Sequence, residues 1–246
     1  MNLKHSWIIA TKDLKAIRHR RTILYTLVIT PLALSLLFGY IVQYAVSSAA
    51  PGTNVSDFAF LLDAFAFWFA IIAAILPSPI ASYSIVGEKV EKSLEPLLAT
   101  PVTDGEILLG KSLAAFIPTI LASFAGAAIY MTYADWALYG MVGHLYYPNW
   151  EMVVILLLLA PLTCLLSIEL NVIISSRVTD VRAASQLGGV VFAPFMGLYI
   201  AGEIDVITLN TLTLLVISAI LAGLAVGMFY LSTHTFQREE ILTKWK

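Results

Sequence analysis

Charge is what this sequence has least of. Of its 246 residues only 12% are Asp, Glu, Lys or Arg, about half the ~25% usual in a soluble domain. With 59% hydrophobic residues and a mean hydropathy of +0.87, that shortage excludes an ordinary soluble enzyme and a disordered chain. The net charge of −2 offers little surface for neutralising phosphates, so no nucleic-acid partner is expected. Cysteine is almost missing too. Cys164 stands alone in an apolar run and leaves neither an intrachain disulfide nor a cysteine metal cluster. The histidines His5, His19, His144 and His234 are scattered without ligand spacing, so neither a metal nor another cofactor is expected on this chain. Alternating polar and apolar strands, the mark of a membrane barrel, are absent as well.

Long apolar runs are what is there. A helix crosses a bilayer with about 20 mostly apolar residues, and six segments qualify: Thr22–Tyr44, Phe58–Ile85, Ser112–Tyr133, Met152–Ile174, Ala183–Ala201 and Thr208–Thr235. The fold class is an all-α integral membrane protein. Residues 1–21 precede the spans and 22–246 form one six-span domain, whose longest connector, 86–111, is too short to be a domain. All fourteen Lys and Arg fall on one side of the six-span plan. Ala45–Asp57, Ala134–Glu151 and Gly202–Ile207 hold none and carry acids instead. The positive-inside rule then places both termini in the cytoplasm, in a cell (plasma or inner) membrane. Ser48-Ala49-Ala50 has the small residues of a signal cleavage site, but the run before it is longer than a signal core, so the first span is expected to be retained.

Ahead of the first span, Leu3, Trp7, Ala10, Leu14 and Ile17 recur in steps of four and three and make one apolar stripe. Lys4, Lys12, Lys15, Arg18, Arg20 and Arg21 lie off it. That pattern predicts an amphipathic helix lying in the headgroup region.

Gly105-Glu106-Ile107-Leu108-Leu109-Gly110-Lys111-Ser112 matches the phosphate-loop pattern GxxxxGK[ST] letter for letter. The residues around it do not fit that chemistry. No strand precedes it, and Thr103 with Glu106 has the spacing of a capping box, so a helix is predicted to start at about Thr103 and run into the third span. No nucleotide site is expected here.

The connector 86–111 reads instead as a docking element. After the charged turn with Glu88 and Glu91, Pro96 suits the first turn of a helix. Leu94, Leu97 and Leu98 make a short apolar face, and Pro101 ends it. The stretch GEKVEKSLEPLLATPVTDGEILLGK resembles the cytoplasmic signature of permease subunits of ABC transporters of the ABC-2 type. Ser175–Gly189 resembles their connector between the fourth and fifth spans. The resemblance implies a dimer with a second copy of the permease, and two separately encoded ATPase subunits that bind ATP and magnesium. It implies a coupling helix carrying Glu88, Glu91, Leu94, Glu95, Pro96, Leu97, Leu98, Thr100 and Pro101, and export of a small or amphiphilic substrate by alternating access. Short outer re-entrant helices before the sixth span also belong to that pattern, and Gly202–Ile207 leaves little room for them.

Within the spans, Asp63, Glu169 and Asn171 are candidates for the substrate path. An acid at mid-depth costs at least about 2.5–3.5 kcal/mol and should face a cavity or a partner. Asp63 lies five residues past Phe58, about 7.5 Å in at helical rise. Prolines punctuate five spans, and Gly223-x-x-x-Gly227 permits close helix approach in the sixth. No catalytic residues are assigned, and the chain is not expected to be an enzyme by itself. Two other classes remain open on the residues alone. An intramembrane enzyme would need paired groups at depth, whereas Asp63 and Glu169 sit toward opposite faces. An ATP-independent channel or scaffold subunit would need no motor.

Overall fold

The computed structural model describes residues 3–50, 52–90, 102–178, 180–204 and 206–235. Among them are helices and no strand. We number the helices α1 (Leu3–Arg18), α2 (Arg21–Ser47), α3 (Val55–Gly87), α4 (Asp104–Val142), α5 (Trp150–Arg177), α6 (Val181–Gly202) and α7 (Thr211–Thr235). From α2 to α7, each is long and apolar enough to cross a membrane.

The main departure from the apolar runs is α4, which extends well beyond Ser112–Tyr133 at both ends. Its 39 residues span roughly 58 Å at helical rise, nearly twice a bilayer core. Hydropathy registers only the apolar middle, while Pro118 is the only proline between Asp104 and Gly143. The start is the expected cap: the Thr103 N–H donates to Glu106 Oε2 at 3.2 Å. Prolines accompany two of the irregular turns elsewhere. In α3 the helix Ala59–Ile75 gives way to Pro77–Ser82, where Pro77 and Pro79 supply no N–H. In α5 a wide turn at Ile155–Leu159 comes just before Pro161, which removes one ladder donor.

Helix α3 is the axis of the bundle and α5 lies beside it. About two thirds of the α3 apolar window is buried, against 22% in α6 and α7. Three polar side chains on successive turns of α5 join the two helices. Thr163 Oγ1 donates to Ala70 O at 3.2 Å, Ser167 Oγ to Ala74 O at 2.5 Å, and Asn171 Nδ2 to Ser78 Oγ at 3.0 Å. The constant offset of 93 positions means the two helices run parallel. That direction is what spans two and four of an alternating bundle require. In the membrane such bonds fix register where the hydrophobic effect cannot.

One end of the bundle gathers acids and aromatics. Phe38 stacks on Phe65 at 4.4 Å, and the Tyr130 and Tyr147 hydroxyls meet at 3.2 Å. Asp135 Oδ1 accepts the N–H groups of Tyr146 and Tyr147, both at 2.9 Å, which ties that connector to α4. The opposite end gathers the described basic residues and receives α1.

Candidate functional site

At the basic end, the flanks of the 86–111 connector are joined by buried charge. Lys111, in the second turn of α4, is 1% exposed. Its Nζ donates to Glu88 Oε2 at 2.7 Å and to the Ser84 carbonyl at 2.6 Å, and lies 3.5 Å from Asp13 Oδ2. Ser84 Oγ donates to the same Asp13 oxygen at 2.7 Å. The other Glu88 oxygen accepts from Lys12 Nζ at 2.7 Å. Burial alone would raise the Glu88 carboxyl, but Lys111 and Lys12 outweigh it and hold it below the ordinary carboxylate range. One cluster therefore ties α1, the last turn of α3 and the start of α4 together. His5 Nδ1 adds a second tie to α4 at Glu106 Oε2, 3.3 Å away.

The phosphate-loop lookalike acquires a structural account. All of Gly105–Ser112 lies in α4. A side chain at Gly110 would meet the Ser6 carbonyl at 2.7 Å, so glycine lets α1 lie close. Lys111 pairs with acids, and Ser112 Oγ donates to Glu169 Oε1 at 2.9 Å. The three residues Gly-Lys-Ser are all used between helices.

Helix α1 is more divided than its apolar stripe suggested. Ala10 and Ile17 are buried as part of a face with Ser6, Ile9 and Asp13, turned to the protein. Leu3 and Trp7 remain exposed. The interior face is thus centred about one residue over from the expected stripe, because Asp13 is drawn inward by Ser84 and Lys111. Sequence reasoning missed Asp13, Ser84 and Lys111 as a unit. A signal was present: Asp13 is the only acid before Asp57, and it stands four residues from both Ile9 and Ile17.

Of the nine residues expected to form the coupling element, Glu88 is placed in the cluster just described. Glu91, Leu94, Glu95, Pro96, Leu97, Leu98, Thr100 and Pro101 lie outside the described residues.

The three in-span candidates occupy different surroundings. Asp63 lines a cavity of about 260 Å³ at the acidic end, with Phe60, Glu151, Leu209 and Asn210. Glu169 is buried between three helices: Oε1 accepts from Ser112 on α4, and Oε2 accepts from Ser232 on α7 at 2.6 Å. Asn171 is fully buried. Its Nδ2 donates to the Ser167 carbonyl at 2.8 Å and to Ser78, and its Oδ1 accepts from Ser82 at 3.1 Å. Gly188 of α6 packs directly on this carboxamide, and any side chain there would overlap Asn171 Oδ1. The structure does not bring the three together. By contrast, a side chain at Gly223 or Gly227 would meet open space within the chain.

No curated protein matches the chain. Residues 7–238 match the family described as ABC-2 family transporter protein, a span that takes in α1, all six membrane helices and the charged cluster. The chain is a multi-pass membrane permease belonging to the ABC-2 transporter family.

Proposed function

We propose that this permease is the membrane half of an ATP-driven exporter, coupled to separate ATPase subunits through residues 86–111. The observation that carries the reading is the Glu88–Lys111 contact, which joins the flanks of that segment at 2.7 Å. A force applied to 91–101 would reach α3 and α4 together and pass to α1 through Asp13 and Lys12. The coupling residues are Glu88, Glu91, Leu94, Glu95, Pro96, Leu97, Leu98, Thr100 and Pro101, with the leucines seated in an ATPase cleft. Two ATPase subunits carry ATP and magnesium and serve two permease copies, most simply identical ones. The basic end faces the cytoplasm of a cell membrane, and residues 1–21 lie along its inner surface with Leu3 and Trp7 in the headgroups.

Asp63, with Glu151 beside it in the acidic-end cavity, supplies a point on the path that favours cationic groups. Glu169 and Asn171 act along the path through the helices they join. Support for a moving bundle comes from the interrupted turns of α3 and α5, since such irregularities are common at functional sites.

The test is co-purification with the ATPase subunit and the ATP hydrolysis of the complex. Leu97→Asp with Leu98→Asp is expected to abolish association and hydrolysis above the ATPase subunit alone. Unchanged association and turnover in that double variant would remove the coupling role of the segment.

A further inference from the structure

A second cleft at the basic end is untouched by the coupling reading. It holds about 870 Å³ and is lined by three stretches distant in sequence. His19, Arg20, Arg21, Thr22 and Ile23 form the corner from α1 into α2; Pro79 and Tyr83 come from α3; Val181, Arg182, Ser185 and Gln186 come from the first turns of α6. Three guanidinium groups thus converge on one opening, and no acid among the described residues lines it.

The described acids nearby are already committed. Asp180 accepts from the Arg182 N–H at 3.1 Å as the cap of α6. Asp13 and Glu88, in the smaller adjoining cavity shared through Arg20 and Tyr83, are held by Ser84, Lys111 and Lys12. Arg20 is fixed over the Tyr83 ring at 4.0 Å, and His19 Nδ1 lies 2.9 Å from the Lys15 carbonyl. Arg21 and Arg182 are exposed at the first residues of two membrane helices, the depth at which lipid headgroups lie. The walls are apolar: Ile23, Pro79, Tyr83 and Val181. Farther along the same helices, Tyr25 and Val28 on α2 and Leu187 and Val190 on α6 are exposed.

A tail obeying the positive-inside rule needs only scattered cations. Convergence of α2, α3 and α6 on one cationic cleft with apolar walls is a more specific arrangement. We infer that this cleft binds an anionic membrane lipid, with Arg20, Arg21 and Arg182 around its phosphate-bearing headgroup and its chains directed along α2 and α6. Guanidinium groups suit phosphate because they can donate two parallel bonds, and the apolar walls select a lipid over a free anion. The inference does not depend on the ATPase reading.

The experiment measures binding of dioctanoyl phosphatidylglycerol to the purified full chain in uncharged detergent micelles. Dioctanoyl phosphatidylcholine, glycerol phosphate and inorganic phosphate are the comparison probes. Saturable binding of the phosphatidylglycerol is expected, weakened at least about tenfold in Arg21→Gln/Arg182→Gln and retained in Lys4→Gln/Lys15→Gln, which removes two cations from outside the cleft. Both arginines are exposed, and an unchanged far-ultraviolet circular dichroism spectrum verifies that the variant folds. Equal weakening by the lysine pair would reduce the effect to diffuse charge and overturn the site. Equal binding of phosphatidylcholine would overturn the anionic selectivity. Binding of glycerol phosphate or inorganic phosphate as tight as that of the lipid would overturn the lipid assignment.

Discussion

Glu88 and Lys111 form a 2.7 Å ion pair with the lysine 1% exposed, although 23 positions separate them in the chain. The pair turns the connector into a loop with a closed neck. Because Asp13 and Lys12 join the same cluster, the neck also fastens α1 to the membrane bundle, alongside the His5–Glu106 tie.

Removing one partner should cost more than removing both. Lys111→Met leaves Glu88 and Asp13 buried without their shared cation, a loss on the order of 3–5 kcal/mol. Glu88→Gln combined with Lys111→Met should recover part of it. Thermal unfolding in detergent micelles checks this: the double variant should melt above Lys111→Met alone.

Acid should loosen the same neck. The Glu88 carboxyl is held below its ordinary range in the folded protein, so the stabilisation is present above the unfolded value of about 4.3. It is lost as the pH falls through the folded value. The protection of α1 amides against hydrogen exchange, taken relative to the intrinsic rate at each pH, should fall in that acid range, and Glu88→Gln should show lower protection at neutral pH with a smaller further change on acidification.

Glu169 should prove to be a structural acceptor as well as a residue on the proposed path. Glu169→Ala takes the acceptor of the Ser112 hydroxyl away and leaves Ser232 with the Phe229 carbonyl at 3.0 Å, at about 1–3 kcal/mol for the buried group left unpaired. Glu169→Gln keeps one side-chain oxygen and should fall between alanine and the wild type in melting temperature.

Two glycine positions should respond in opposite ways. Gly188→Ala forces a methyl group onto the Asn171 carboxamide and should destabilise by about 1–3 kcal/mol. Gly223→Ala and Gly227→Ala meet nothing within the chain and should leave the melting temperature of the isolated chain nearly unchanged. If two copies pack through that face, their effect will appear in cross-linking of the assembled dimer instead.

Much of the architecture was legible from local pattern. The six apolar runs, the Thr103–Glu106 cap and the helix through Gly105–Ser112 each depend on residues close in sequence, so spacing alone reveals them. The neck was not legible, because its parts lie on α1, α3 and α4 and only packing brings them together. Lys111 looked like one more inside cation because hydropathy assigns charge to a side of the membrane, not to a partner. Asp13 escaped because the stripe through Leu3 and Trp7 accounted for the apolar residues of α1 without it. The ladder from Thr163 to Asn171 was hidden for a similar reason: small polar residues on a membrane helix do not reveal which neighbour they face.

The most direct measurement of the central claim is a spin-label distance across the acidic end in the complex with its ATPase. Labels at Trp136→Cys on α4 and Leu212→Cys on α7 use positions that are exposed in the chain, while the native Cys164 is buried. With the neck intact, trapping ATP on the ATPase should shift the distance distribution. In Glu88→Gln/Lys111→Met, ATP hydrolysis should continue while that shift disappears. An undiminished shift in the double variant would show that force reaches the spans by another route, and would contradict the account.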